Sequence, residues 1–127
     1  HCGAVVVSNL VTGLYSLGVH ILENCGFEEK DAQKALIPLF LGSAQAVAEK
    51  GPVDALTGPV ERADVSTIEK HIQSIQNISD AKAGADLMKI YLLLSEQLLA
   101  IAGEKHPERD YVNVAEVIDD EKHSIHI

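Results

Sequence analysis

Residues 4–24 form a run in which the polar positions Ser8, Thr12, Ser16 and His20 recur every four residues. That period gathers them into one narrow stripe along a helix and leaves the rest of the cylinder apolar, with Asn9 beside the stripe. Such a helix must be covered by protein or by lipid. Residues 1–22 are apolar enough to raise the question of a membrane span. Ser8, Asn9, Thr12, Ser16 and His20 interrupt them, however, and no basic cluster flanks them, so the pattern predicts a buried helix of a water-soluble protein. Gly13 and Gly18 each cost about 1 kcal/mol of helix propensity against Ala, which points to close approach by another backbone. Gly26 is placed to end the helix. The chain begins without Met and enters apolar sequence with no capping residue ahead of it, which reads as a cut through a longer protein.

The remaining segments also read as helices. Aromatic residues make up only 4% of the 127 residues, with no Trp, so the core must be built from Leu, Ile, Val and Ala. That composition suits close-packed helices better than an aromatic-rich sandwich. A chain of this length can form one domain burying roughly two-thirds of its unfolded surface. A second helix is predicted from Glu28 or Asp31 to about Lys50, with acidic residues in its first turn. Pro38 predicts either a kink in it or a junction of two shorter helices. Its apolar face is Leu36, Leu39, Phe40, Ser43, Ala44 and Val47. Pro52, Gly58 and Pro59 make 51–63 a loop. Asp64 then caps a helix over 65–76 with Ile68, Ile72 and Ile75 on one face. Ser79 or Asp80 opens another over 81–102, its core running through Leu87, Ile90, Tyr91, Leu94, Leu98 and Ile101, with Gly103 ending it. Pro107 breaks the chain, 112–118 form a last short helix, and 119–127 read as a loose polar tail. No segment alternates like a strand. The expected fold is therefore an all-α bundle of four to six helices over residues 1–118.

The formal charge of −9 argues against nucleic acid or an anionic membrane as partner, since both demand a basic surface. Cys2 and Cys25 lie at opposite ends of the first predicted helix, too far apart to form a disulfide. They read as reduced, small core residues in a cytoplasmic protein. His123 and His126 have a spacing that can bind zinc on a helix, but no carboxylate-plus-His frame surrounds them, so no metal is expected.

The stretch Asp54-Ala55-Leu56-Thr57-Gly58-Pro59-Val60-Glu61-Arg62-Ala63-Asp64-Val65-Ser66-Thr67-Ile68-Glu69-Lys70-His71 resembles the A-L-T-G-P-x-x-R-x-D-x-x-T-x-x-x-H signature of the DUF2520 family. The opening His1-Cys2-Gly3-Ala4, followed by Ser8-Asn9, is similar to that family's H-x-A-A stretch and downstream Asn, with Gly3 in place of the usual Ala. The resemblance implies a C-terminal helical domain like that of 6-phosphogluconate dehydrogenase, which closes a substrate cleft and forms a homodimer. It also implies an N-terminal Rossmann-like domain and an NAD(P)-dependent oxidoreductase acting on a small molecule. No G-x-G-x-x-G occurs in this chain, so the resemblance places the cofactor site on that other domain.

On this resemblance Thr57, Gly58, Pro59, Arg62 and Asp64 are substrate-binding candidates. The Thr57 hydroxyl, nearby backbone N–H groups and Arg62 can hold an anionic or carbonyl-bearing ligand. The same residues also read as a capped loop in which Gly58 allows a special backbone angle, Pro59 stiffens it, Asp64 caps the helix and Arg62 pairs with Asp64 or Glu61. His1, Asn9 and His71 are the catalytic candidates, polarising or protonating a substrate oxygen during hydride transfer on the companion domain. The alternative for His71 is a hydrogen-bonded structural histidine. For Ser8, Thr12 and Ser16 it is packing, with hydroxyls bonded back to the preceding turn. Two other functions stay open beside the redox one: a non-catalytic helical interaction or dimerisation module, and a solute-binding helical domain.

Overall fold

The computed structural model describes all residues 1–127. Of these, 78% are helical and none is in a strand, as expected for an all-α chain. The helices are α1 Cys2–Val7, α2 Asn9–Asn24, α3 Glu29–Ala55, α4 Val65–Gln76, α5 Ala81–Lys105 and α6 Val112–Ser124. They divide into two compact units, residues 1–45 and residues 46–127.

In the first unit the predicted single helix over 4–24 is broken at Ser8, whose backbone leaves the helical region at φ −123°, ψ −80°. Its hydroxyl donates to the Ala4 carbonyl at 2.6 Å and to Asn9 Oδ1 at 3.1 Å, so a local polar alternative replaces the helical ladder there. The helix then resumes and ends at Gly26 (φ +98°), whose N–H reaches the Glu23 carbonyl at 2.9 Å while Phe27 N–H reaches Leu22 at 3.1 Å. α2 and the start of α3 form an antiparallel pair. Tyr15 meets Phe40 edge-on at 5.4 Å and donates to the Gln33 carbonyl, and Leu36 packs against Gly18. The close backbone approach foreseen for Gly13 and Gly18 is not made: Gly18 meets only the Leu36 side chain, and Gly13 has open space beside it.

The burial predicted for this helix is not found. Val19 is the one buried residue of α2 and Ala32 the one of α3, while Val7 is 74% and Leu39 68% exposed. The pair covers only the facing stripe of each helix, and the foreseen α3 face of Leu39, Phe40 and Val47 stays open. Cys2 and Cys25 are exposed free thiols rather than core residues. By length and composition Cys2–Asn24 could cross a membrane. Pro38 does not interrupt α3. Its missing N–H costs the Lys34 carbonyl a partner, but both residues are exposed, so water can replace it. The break falls at Gly51, where φ +77° and ψ 168° divide a long helix from one last turn.

The second unit holds most of the core. α4 spans the predicted residues and buries Ile68, Ile72 and Ile75. α5 runs beyond Gly103 to Lys105 and buries Gly84, Leu87, Met88, Leu92, Ser95 and Ala102. Its buried face is therefore rotated from the predicted one: Leu94 and Leu98 are 42% and 37% exposed. A Cβ at Gly84 would lie 3.3 Å from the Ile75 carbonyl oxygen, which explains a glycine inside a helix where α4 approaches. α6 buries Val114 and Ile118 and continues to Ser124, so most of 119–127 is helix and not a loose tail. Lys122 donates to Glu96 at 2.6 Å and Gln76 to Glu121 at 3.1 Å, tying that end to α5 and α4.

The rotated face is testable by paired truncation. Leu92→Ala, at a fully buried position, should lose about 2–5 kcal/mol of stability, whereas Leu94→Ala should lose less than about 1 kcal/mol. Urea midpoints read both, and an equal loss at the two positions would contradict the assignment.

Candidate functional site

The residues between α3 and α4 build one closed turn. Gly58 takes φ +105°, a backbone angle that L side chains rarely adopt, and Pro59 follows it. Arg62 N–H donates to the Gly58 carbonyl at 3.1 Å, Ala63 N–H to Val60 at 3.1 Å and Asp64 N–H to Pro59 at 2.8 Å. Ala63 is itself left-handed, at φ +56°. Thr57 stands exposed at the head of this turn. Asp64 caps α4, accepting from Thr67 N–H at 3.1 Å and from the Thr67 hydroxyl at 2.7 Å. Those two bonds, then the Arg62 and Lys70 charges, hold its carboxyl below the usual aspartate range. Arg62 lies 3.9 Å from Asp64 and is otherwise exposed, leaving its guanidinium accessible.

A second segment, which sequence reasoning did not single out, clamps this turn from behind. Lys105 Nζ donates to the Leu56 carbonyl at 2.7 Å and to that of Asp54 at 3.3 Å. The Glu61 carbonyl accepts from Tyr111 Oη at 2.6 Å and from Arg109 at 2.7 Å. The Glu61 carboxylate meets His106 Nε2 at 2.6 Å and Arg109 at 3.3 Å. The His106 hydrogen bond, aided by the His106, Lys105 and Arg109 charges, lowers the Glu61 pKa against the opposing effect of burial. The expected choice of Asp64 or Glu61 as partner for Arg62 is thus resolved toward Asp64. The one available signal was the concentration of donors at Lys105, His106, Arg109 and Tyr111 around Pro107. Their acceptors lie 45–51 residues away, beyond what local patterning can read.

His71 lies two turns along α4 and is exposed. Its Nδ1 is 3.1 Å from Tyr91 Oη, and the rings meet edge-on at 6.0 Å. Tyr91 was foreseen only as a core residue of α5. Burial raises its pKa, and a hydrogen bond with Ser95, itself 3% exposed, opposes that shift. His1 and Asn9 belong to the other compact unit. His1 is exposed, its carbonyl accepting from Val5 N–H at 3.1 Å, and Asn9 is an exposed amide bonded to Ser8 rather than a buried one. Ser8 and Thr12 hydroxyls bond back to the preceding turn. His123 Nδ1 bonds the Asp119 carbonyl at 2.8 Å. An open cleft of about 320 Å³, lined by Ile75, Ile78, Met88 and Ile125 among others, contains none of the candidate site residues.

Among known proteins, the model of the family described as "Domain of unknown function (DUF2520)" matches residues 1–98. No curated protein and no solved structure matches the chain. The clamp residues Lys105, His106, Arg109 and Tyr111 lie beyond the matched stretch.

Because the folded-state pKa of Glu61 lies below the ordinary 4.5, the clamp's contribution is fully present above that value and is lost as pH falls through the lowered one. Glu61→Gln should therefore lower the urea midpoint at pH 7 and flatten its decline below about pH 4.5. Superimposable curves for the two proteins from pH 7 to pH 3 would contradict the clamp.

Proposed function

Since this chain belongs to the DUF2520 family, we propose that it is the helical part of an NAD(P)-dependent oxidoreductase, supplying a dimer interface and the substrate-facing wall of a cleft. The observation that carries the proposal of a partner is the exposure of large apolar side chains along the first three helices. Val6, Val7, Leu10, Leu39, Leu41 and Val47 are each about half or more exposed. Large apolar side chains left open to water in such number are the mark of a surface that a partner covers. We assign the cover to a second copy of the chain and to a Rossmann-like companion domain, in a cytoplasmic protein. The redox part of the proposal rests on the resemblance of the motif from Thr57 to His71.

A dinucleotide does not fit the residues of this chain. It has neither a strand nor a G-x-G-x-x-G turn leading into a helix to cradle a pyrophosphate, so NAD(P) is assigned to the companion domain. What this chain offers is a binding edge. The Thr57 hydroxyl, the backbone of Gly58 and Pro59 and the accessible Arg62 guanidinium suit a small ligand carrying a carboxylate or carbonyl. Asp64 supports that edge through the helix cap. His71, with His1 and Asn9 as further polar groups, serves to donate a hydrogen bond or proton to a substrate oxygen.

A second reading, a non-catalytic dimerisation module, draws on the same exposed apolar residues, and nucleotide binding separates the two. The full-length protein should bind NADPH in an equilibrium fluorescence titration, while residues 1–127 alone should not; absence of nicotinamide binding by the full-length protein would leave the module reading. For the interface, Val7→Asp and Leu39→Asp should shift the sedimenting species from dimer to monomer without lowering the melting temperature of the second unit. An unchanged dimer would contradict the assigned surface.

A further inference from the structure

The contact between His71 and Tyr91 has a direction that chemistry can assign. A phenol O–H is a stronger donor than an aliphatic hydroxyl, and a neutral imidazole nitrogen is a stronger acceptor than either hydroxyl oxygen. In a chain of Ser95, Tyr91 and His71, the best donor therefore pairs with the best acceptor: Tyr91 O–H donates to His71 Nδ1 at 3.1 Å. Ser95, one turn along α5 from Tyr91, is 3% exposed, and its side-chain hydrogen bond counters the rise that burial gives the Tyr91 pKa; no buried side-chain polar atom of the chain lacks a partner. With its own proton committed to the imidazole, the phenol oxygen accepts from the Ser95 hydroxyl. The edge-on approach of the two rings, at 85°, holds the phenol beside that nitrogen.

We propose that Tyr91 is a positioning residue that, oriented by the buried Ser95, occupies the Nδ1 lone pair of His71 and keeps the neutral ring in its Nε2–H form. His71 then meets a ligand as a donor, suited to a carbonyl or alkoxide oxygen, and not as a general base. This deepens the assignment of His71 as a proton donor and rests on it for its catalytic meaning. The contact between His71 and Tyr91 itself stands on geometry.

The test is a long-range ¹H–¹⁵N correlation spectrum of the full-length protein at a pH where His71 is neutral, with Tyr91→Phe and Ser95→Ala beside it. The wild type should show His71 as the Nε2–H form, with Nδ1 shifted in the sense of a hydrogen-bonded acceptor. In Tyr91→Phe that Nδ1 resonance should move to the free position, and in Ser95→Ala partway. Diethyl pyrocarbonate, which needs a free ring lone pair, should modify His71 about fivefold faster in Tyr91→Phe, the factor expected of one net hydrogen bond. A wild-type Nδ1–H form would overturn the proposal even if neither variant folds, and so would an unchanged Nδ1 resonance and modification rate in Tyr91→Phe. NADPH titration of the same samples keeps the two ideas apart: no binding by wild type removes the oxidoreductase reading and leaves the ring-nitrogen result intact.

Discussion

Glu61 is the point on which the motif loop depends. Its carbonyl accepts from Arg109 and Tyr111, and its carboxylate from His106 and Arg109, so one residue receives most of what the segment after α5 donates. Charge-assisted bonds of this length are the stronger kind, and a carboxylate stripped of them near the protein interior would keep its desolvation cost. Lys105 adds the carbonyls of Asp54 and Leu56, immediately before Thr57. The turn that presents Thr57, Gly58 and Pro59 is thereby held from both ends, and Asp64 locks its exit into α4. The left-handed angles at Gly58 and Ala63 are strain that this surrounding network can sustain.

How much of this was legible follows from how local each feature is. α4 was readable to its ends, because its cap, Asp64 bonded to Thr67, and its face of Ile68, Ile72 and Ile75 are encoded within twelve consecutive residues. α5 was readable as a helix but not in orientation. It carries apolar residues on more than one face, and its neighbours selected Gly84, Met88, Leu92 and Ser95 over Leu94 and Leu98. Gly84 was the overlooked clue, since a mid-helix glycine marks a close approach. Pro38 marks a breaker by residue type, yet an exposed carbonyl without its donor is satisfied by water and the helix continues, while Gly51 makes the actual break. Glu61 was invisible as a hub, since its partners lie across a gap of more than forty residues.

The two units differ in what they leave uncovered. Residues 46–127 bury a compact set of isoleucine, leucine and valine side chains between α4, α5 and α6. In residues 1–45 the helices bury Val19 and Ala32 and little else, although their apolar content is higher. Hydrophobic patterning identified which residues want to be buried; it could not tell whether the chain itself would do the burying. That gap is why the helices expected to be buried stand exposed here, and why a partner is invoked to cover them.

Held by its own turn bonds and by Lys105 and Tyr111, the loop carrying Thr57, Gly58 and Pro59 is a rigid, preformed edge and not a mobile lid. Backbone ¹⁵N relaxation of the full-length protein tests this most directly. Order parameters for residues 57–63, omitting Pro59, should lie near the ~0.85 typical of rigid backbone, matching those of α4. Values below about 0.6 would show a flexible loop and contradict the claim.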